Sequence, residues 1–141
     1  MWDLRNLPWL PNTYKAGADI DAALSALIAD GADPADIRTY GVIARQSSHA
    51  SAAGRLARVL RKNLDMIKAH SGAKILRVAL LSNATTDLLG DPLLVGGARF
   101  DVLLETVSLP FGQPVQMALD PHSDLYKSAP DAVIVALDHR Y

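Results

Sequence analysis

Cysteine is absent from this sequence of 141 residues, so neither a disulfide nor a thiolate-held metal contributes to it, and the chain suits a reducing compartment. Aromatic residues are scarce, at 6% against 50% hydrophobic residues overall, which leaves Leu, Val, Ile and Ala to build the core. One-sided charge is lacking as well. A formal net charge of −1 gives no global attraction to nucleic acid or to anionic lipid. No apolar run approaches the roughly 20 residues of a membrane span, and the opening Met1-Trp2-Asp3-Leu4-Arg5 reads as neither signal peptide nor anchor, so the cytoplasm is the expected location. Internal repeats and low-complexity tracts are missing, which excludes a solenoid. What remains is one domain of a size that buries a single core.

The first stretch alternates proline with large apolar groups (Leu7, Pro8, Trp9, Leu10, Pro11). Proline blocks both helix and ladder, so this segment reads as an extended arm, resting either on the domain's own core or on a partner. From Asp19 a helix is expected: Ile20, Ala23, Leu24, Leu27 and Ile28 recur at helical spacing, and Asp30-Gly31 stops it. Asp33-Pro34 then has the form of an N-cap followed by proline at the first helical position, opening a second helix toward Arg45. A third helix spans about residues 48–69. Leu56, Val59, Leu60, Leu64 and Ile67 form its apolar stripe, and Arg55, Arg58, Arg61, Lys62 and Lys68 cover the other side. Such a basic face either receives an acidic partner or is simply solvated.

Three apolar runs follow, each reading as a strand: residues 75–81, 100–107 and 132–137. The first has the composition of a strand buried on both faces. A helical stretch from about Thr86 to Gly97, kinked or restarted at Pro92, separates the first two. A polar, proline-punctuated loop with one helical turn near Val115 to Leu119 separates the last two. This order predicts a parallel sheet in a three-layer α/β sandwich. Residues 1–45 form the arm and first helices, residues 46–141 the α/β region, and together they make one structural unit. Three strands fall below the usual five or six per sheet, so the domain is expected to be incomplete on its own, one piece of a larger protein.

Open parallel sheets bind ligands beyond the carboxyl ends of their strands. The polar residues expected there are Asn83, Thr85 and Asp87 after the first strand, Gln113 after the second, and Asp138, His139 and Arg140 after the third. Thr85, Thr86 and Asp87 are equally suited to capping the helix that follows. Several chemistries fall away. No Gly-rich phosphate loop opens a helix, and His49, His70, His122 and His139 lack ligand spacing, so no metal site is expected from this chain. His122 in Asp120-Pro121-His122-Ser123-Asp124 is a turn histidine. Laying the Gly-Asp-Ser of an SGNH hydrolase on the end of the first strand puts Ala84 where the nucleophile belongs, and alanine cannot attack. Asp19-Ile20-Asp21 follows no strand and lacks the hydroxyl of a HAD-type Asp-x-Asp-x-Thr loop. No catalytic residue is assigned.

Residues 77–89 (RVALLSNATTDLL) resemble the first strand and turn of the N-terminal, SGNH-like region of FkbH-type proteins. Residues 111–113 (FGQ) and 119–126 (LDPHSDLY) resemble that region's YGQ and DPxSxLY segments, and residues 130–138 (PDAVIVALD) its PDVVxxALD strand. Residues 7–11 and the basic helix also fit. The resemblance implies an SGNH- or flavodoxin-like fold and a protein in which a HAD-type domain, bearing the catalytic Asp and its Mg²⁺, lies C-terminal to this region. Some such proteins transfer a phosphate-activated glyceryl unit to an acyl carrier protein in polyketide or related secondary metabolism. By that resemblance this chain is a non-catalytic domain holding no cofactor itself, with a HAD-type domain and an acyl carrier protein as partners and neither nucleic acid nor membrane among them. Arg58 and Lys62 are the cations expected to meet a carrier-protein helix, by steering more than by affinity. The alternatives are a degenerate SGNH-like esterase or acyltransferase using Thr85 or Thr86, and a stand-alone interaction module binding through its arm and sheet edges.

Overall fold

The computed structural model describes residues 19–46, 50–70, 72–110 and 112–137. The arm and its contacts therefore lie outside the described residues. Helix α1 (Ile20–Ala29) starts where Asp19 turns its carboxylate back onto the Asp21 N–H at 3.0 Å. It stops at Asp30, and Gly31 takes φ +94°, a conformation that costs a side-chain-free residue nothing.

Helix α2 (Ile37–Gln46) begins later than Asp33-Pro34 predicts. Asp33 heads a separate turn, accepting from the Ala35 N–H at 2.8 Å, and the cap falls to Asp36, which accepts from the Arg38 N–H at 2.9 Å. The turn is fastened by Thr39 Oγ1 donating to the Asp33 carbonyl and by the Tyr40 hydroxyl donating to the Pro34 carbonyl. Arg38 also returns its guanidinium to Asp36, at 2.7 Å and 2.5 Å, and holds that carboxyl below the usual carboxylate range. A group with a depressed folded pKa contributes stability above its unfolded value, near 3.9, and loses it as pH falls through the folded value. Asp36→Asn keeps the cap but removes the titration. The stability gap between parent and variant should therefore be widest above about pH 4 and close in acid, as read by urea unfolding across pH 2–6. Raising the salt should narrow it, because Arg38 is mostly exposed. A gap independent of pH would refute the assignment.

The single helix expected over residues 48–69 is two: α3 (Ala50–Lys62) and α4 (Leu64–Ala69). Asn63 divides them. Its side-chain amide donates to the Val59 carbonyl at 3.0 Å, while its backbone N–H is shared between Val59 and Leu60. A side chain that competes for the helical carbonyl breaks the ladder locally. The apolar stripe survives the break, with Leu56, Leu60 and Ile67 fully buried and Val59 and Leu64 packed on the same cluster as Tyr40, Ile43, Val95 and Leu103.

The sheet has three parallel strands in the order β2-β1-β3, with β1 (Lys74–Ser82) central between β2 (Val102–Ser108) and β3 (Ala132–Ala136). Register runs from Lys74 opposite Val102 to Leu80 opposite Ser108, and from Val78 opposite Ala132 to Ser82 opposite Ala136. Helix α5 (Gly90–Ala98) crosses from β1 to β2, and α6 (Pro114–Leu119) with the short α7 (Asp124–Lys127) crosses from β2 to β3. Strand alternation sends Leu104 to the α5 side and Val107 to the other, where it joins Ala79 and Leu81 under Met117 of α6 and Leu125 of α7. Helices thus flank both faces, and the architecture is the three-layer α/β sandwich.

Two strand expectations need correction. Phe100 is not in β2: it stands 80% exposed in the turn after α5, where Asp101 takes φ +61° and delays the strand to Val102. The first strand is buried on both faces only from Val78 onward, with Ile75 41% exposed and Arg77 exposed. The third strand is the least covered of the three. Val133, Ile134 and Val135 are 44%, 39% and 57% exposed, so both faces of β3 are open, and among the described residues no strand pairs with its outer edge. Helix α5 also starts later than Thr86. Pro92 lies in its first turn, where a missing N–H leaves no gap in the ladder, so it produces no kink.

Candidate functional site

The carboxyl ends of the three strands are tied together through Ser82, the last residue of β1. Its hydroxyl donates to the Ala136 carbonyl at the end of β3 at 2.6 Å and accepts from the Ala84 N–H at 3.0 Å. Its own carbonyl accepts from Gly112 N–H, in the loop after β2, at 3.2 Å. Gly112 reaches that position with φ +86°, in the left-handed region that a glycine adopts without strain. Ser82 is 4% exposed. One residue therefore ties the three strand ends together, its side chain toward β3 and Ala84 and its backbone carbonyl toward the loop after β2. Sequence reasoning assigned Ser82 no role. The available signal was its place as a hydroxyl residue ending a buried central strand, where unpaired backbone groups of neighbouring strands need partners.

Around this knot Asn83 is half-buried, Thr85 and Asp87 are exposed, and Thr86 is 6% exposed. The loop bearing Asn83 and the loop bearing the exposed Gln113 meet at Ser82 through the Gly112 bond. Asp138, His139 and Arg140 lie outside the described residues. The capping role open to Thr85, Thr86 and Asp87 is not taken up: α5 is entered through Leu89, which makes no side-chain cap, and Thr86 contributes only its carbonyl to the Leu89 N–H. At the position of the SGNH nucleophile, Ala84 presents a methyl group to solvent.

Acid–base partners are not assembled here from the described residues. His70 faces Asp33, with Nδ1 3.6 Å from its carboxylate, and His122 is exposed in a turn whose N–H is held by Asp120 at 2.8 Å. Among the described residues no group of three or more His, Asp or Glu side chains is placed to hold a metal ion.

Two open cavities lie between described residues near the sheet. The larger, about 510 Å³, runs along β2 rather than at the strand tips, lined by Leu64, Leu94 and Leu104 with Arg61, Arg77 and Thr106. Its arginines are engaged: Arg61 with Asp91 at 2.6 Å and Arg77 with Glu105 at 3.7 Å, while Lys68 also pairs with Glu105. The smaller, about 380 Å³, brings Gln113 together with Gln116, Asp120 and Asp124 beside Met117. Gln113, expected from sequence beyond the second strand, lines this cavity. Arg58 and Lys62 stand elsewhere, exposed on α3 in the helical layer. No helix of the described residues is long and apolar enough to cross a membrane.

No protein-family model matches the chain, and no curated protein matches it. Among solved structures it is similar to the crystal structure of the N-terminal part of the protein BF1531 from Bacteroides fragilis, which contains a phosphatase domain and is complexed with Mg. Identity is 28% and the TM-score 0.46, over 48% of this chain and 18% of that one.

Proposed function

We propose that this chain is a non-catalytic domain of an FkbH-like protein, supporting a HAD-type domain that transfers a phosphate-activated glyceryl-type unit to an acyl carrier protein. The reading rests on the resemblance of residues 77–89, 111–113, 119–126 and 130–138 to the SGNH-like region of that family. The observation that carries its non-catalytic part is the state of Ser82, whose hydroxyl is buried and engaged with Ala136 and Ala84. A nucleophilic serine needs an exposed oxygen and a base to take its proton. Here the oxygen already donates its proton to a backbone carbonyl, and the next exposed position carries a methyl group. Thr85, exposed and free of a capping duty, is the hydroxyl on which the esterase alternative depends. Hydrolysis of p-nitrophenyl acetate by the purified chain separates the two readings. The buffer rate is expected for the parent and for Thr85→Ala alike. Turnover above buffer that disappears in Thr85→Ala or Thr86→Ala would replace the proposal with the esterase reading.

A further inference from the structure

The five cations of the basic face read from sequence over residues 48–69 are divided by the structure, four on α3 and Lys68 on α4. Arg61 is neutralised by Asp91 of α5, and Lys68 by Glu105 of β2. Arg55, Arg58 and Lys62 remain exposed and form no ion pair with any described residue. Elsewhere the described cations are engaged. Arg38, Arg45, Arg77 and Lys127 pair with carboxylates, Arg99 donates to the Ala44 carbonyl, and the exception is Lys74 at the start of β1. Unmatched positive charge is thus gathered on one helix in a chain whose net charge is −1.

The three positions stand at i, i+3 and i+7, one stripe about 10 Å long by the helical rise. Arg58 lies back along the helix, its Nε 3.4 Å from the Gly54 carbonyl, which leaves its remaining N–H groups directed outward. Beside it the surface is low: a Cβ built on Gly54 meets nothing within 4 Å, and Ser51 is small and exposed one turn before Arg55. Small residues flanking a charged ridge allow another helix to approach closely.

We propose that Arg55, Arg58 and Lys62 form a docking stripe for an acidic helix on a partner protein. The inference deepens the carrier-protein reading proposed above and rests on it for the kind of partner, while the ion pairs of Arg61 and Lys68 single out these three side chains. Charge complementarity selects the occupant. A membrane surface is disfavoured because the apolar side of α3, with Leu56 and Leu60 fully buried, is committed to the core and cannot insert. A nucleic acid is disfavoured because three cations match few phosphates and no aromatic residue of α3 offers a stacking surface. An acidic helix presents carboxylates at the same i, i+3, i+7 spacing and meets guanidinium groups in paired hydrogen bonds.

The test uses fluorescence anisotropy with a labelled amphipathic helical peptide of about 20 residues, long enough to hold a helix, carrying glutamates along one face. Arg58→Glu with Lys62→Glu should weaken binding about tenfold or more and flatten its salt dependence. Arg58→Gln with Lys62→Gln should give an intermediate loss. Lys74→Glu with Lys127→Glu, reversing the same number of charges elsewhere, should change affinity by less than about threefold. All three pairs are exposed, so far-UV circular dichroism should be unchanged. An equal loss in the Lys74/Lys127 control, binding no stronger than to a lysine-faced version of the peptide, or tighter binding to a single-stranded oligonucleotide or to phosphatidylglycerol vesicles would each overturn the proposal.

Discussion

Gly97→Ala should lower the unfolding free energy by about 2–3 kcal/mol, while the same change one residue earlier, at Gly96, should raise it by about 0.5–1 kcal/mol. Both glycines lie inside α5, and in an unhindered helix alanine is the better residue. Space decides the sign. A Cβ on Gly97 would stand 2.6 Å from Leu104 Cγ and 2.7 Å from the Val102 carbonyl oxygen, whereas one on Gly96 meets nothing within 4 Å. The Val102 oxygen belongs to β2 and cannot rotate away, so α5 must lift off the sheet by several tenths of an ångström. The lifted helix would loosen its packing with α2 and α3, which bury Tyr40, Leu56 and Leu60 against it. Against a total stability of about 5–15 kcal/mol this is a large fraction. Urea unfolding followed by circular dichroism reads both signs, and a Gly97→Ala protein as stable as its parent would show that α5 does not sit this close to β2.

Leu80→Ala should cost about 3–5 kcal/mol, the largest effect expected from a single truncation in the sheet. Leu80 is fully buried toward the carboxyl end of the central strand, opposite Ser108 on one side and Ile134 on the other. Truncation removes buried methyl groups and leaves a cavity where strands on both sides limit collapse. Ile134→Ala, beside it on β3, should cost less than about 1.5 kcal/mol because that side chain is already 39% exposed. Chemical unfolding of the two variants compares them directly. Similar losses would mean that β3 is covered in solution by something that the described residues do not include.

The contrast between these neighbours also marks where the fold was legible in the sequence. Residues 75–81 are an apolar run broken only by Arg77, and the run is a strand because both of its neighbours and both helical layers demand one. Asp19 and Gly31 delimit α1 by local hydrogen bonding and backbone freedom alone, which are properties that sequence displays. Asn63 was illegible because its effect depends on a side-chain rotamer reaching Val59, not on hydrophobic spacing. Asp33 and Asp36 both have the chemistry of a cap, and the tie from Tyr40 to Pro34 decides between them by closing the first turn as a separate unit. Phe100 has strand propensity, yet Asp101 at φ +61° holds it outside the ladder. The exposure of β3 is a question of neighbours, which an apolar run cannot report. At the crest, sequence placed Asn83, Thr85, Asp87 and Gln113 after the correct strands, and it gave Ser82 no role because the partners of that hydroxyl lie 54 residues away on β3 as well as two residues ahead.

The central claim of the proposed function is that the tip of β1 serves structure and that none of its hydroxyls acts as a nucleophile. The most direct measurement is incubation of the purified chain with a fluorophosphonate, followed by intact-mass and peptide mass spectrometry. The account predicts an unmodified mass, with Ser82, Thr85 and Thr86 all unlabelled under conditions that label a control serine hydrolase to completion. A stoichiometric phosphonyl adduct on any of those three residues would contradict it.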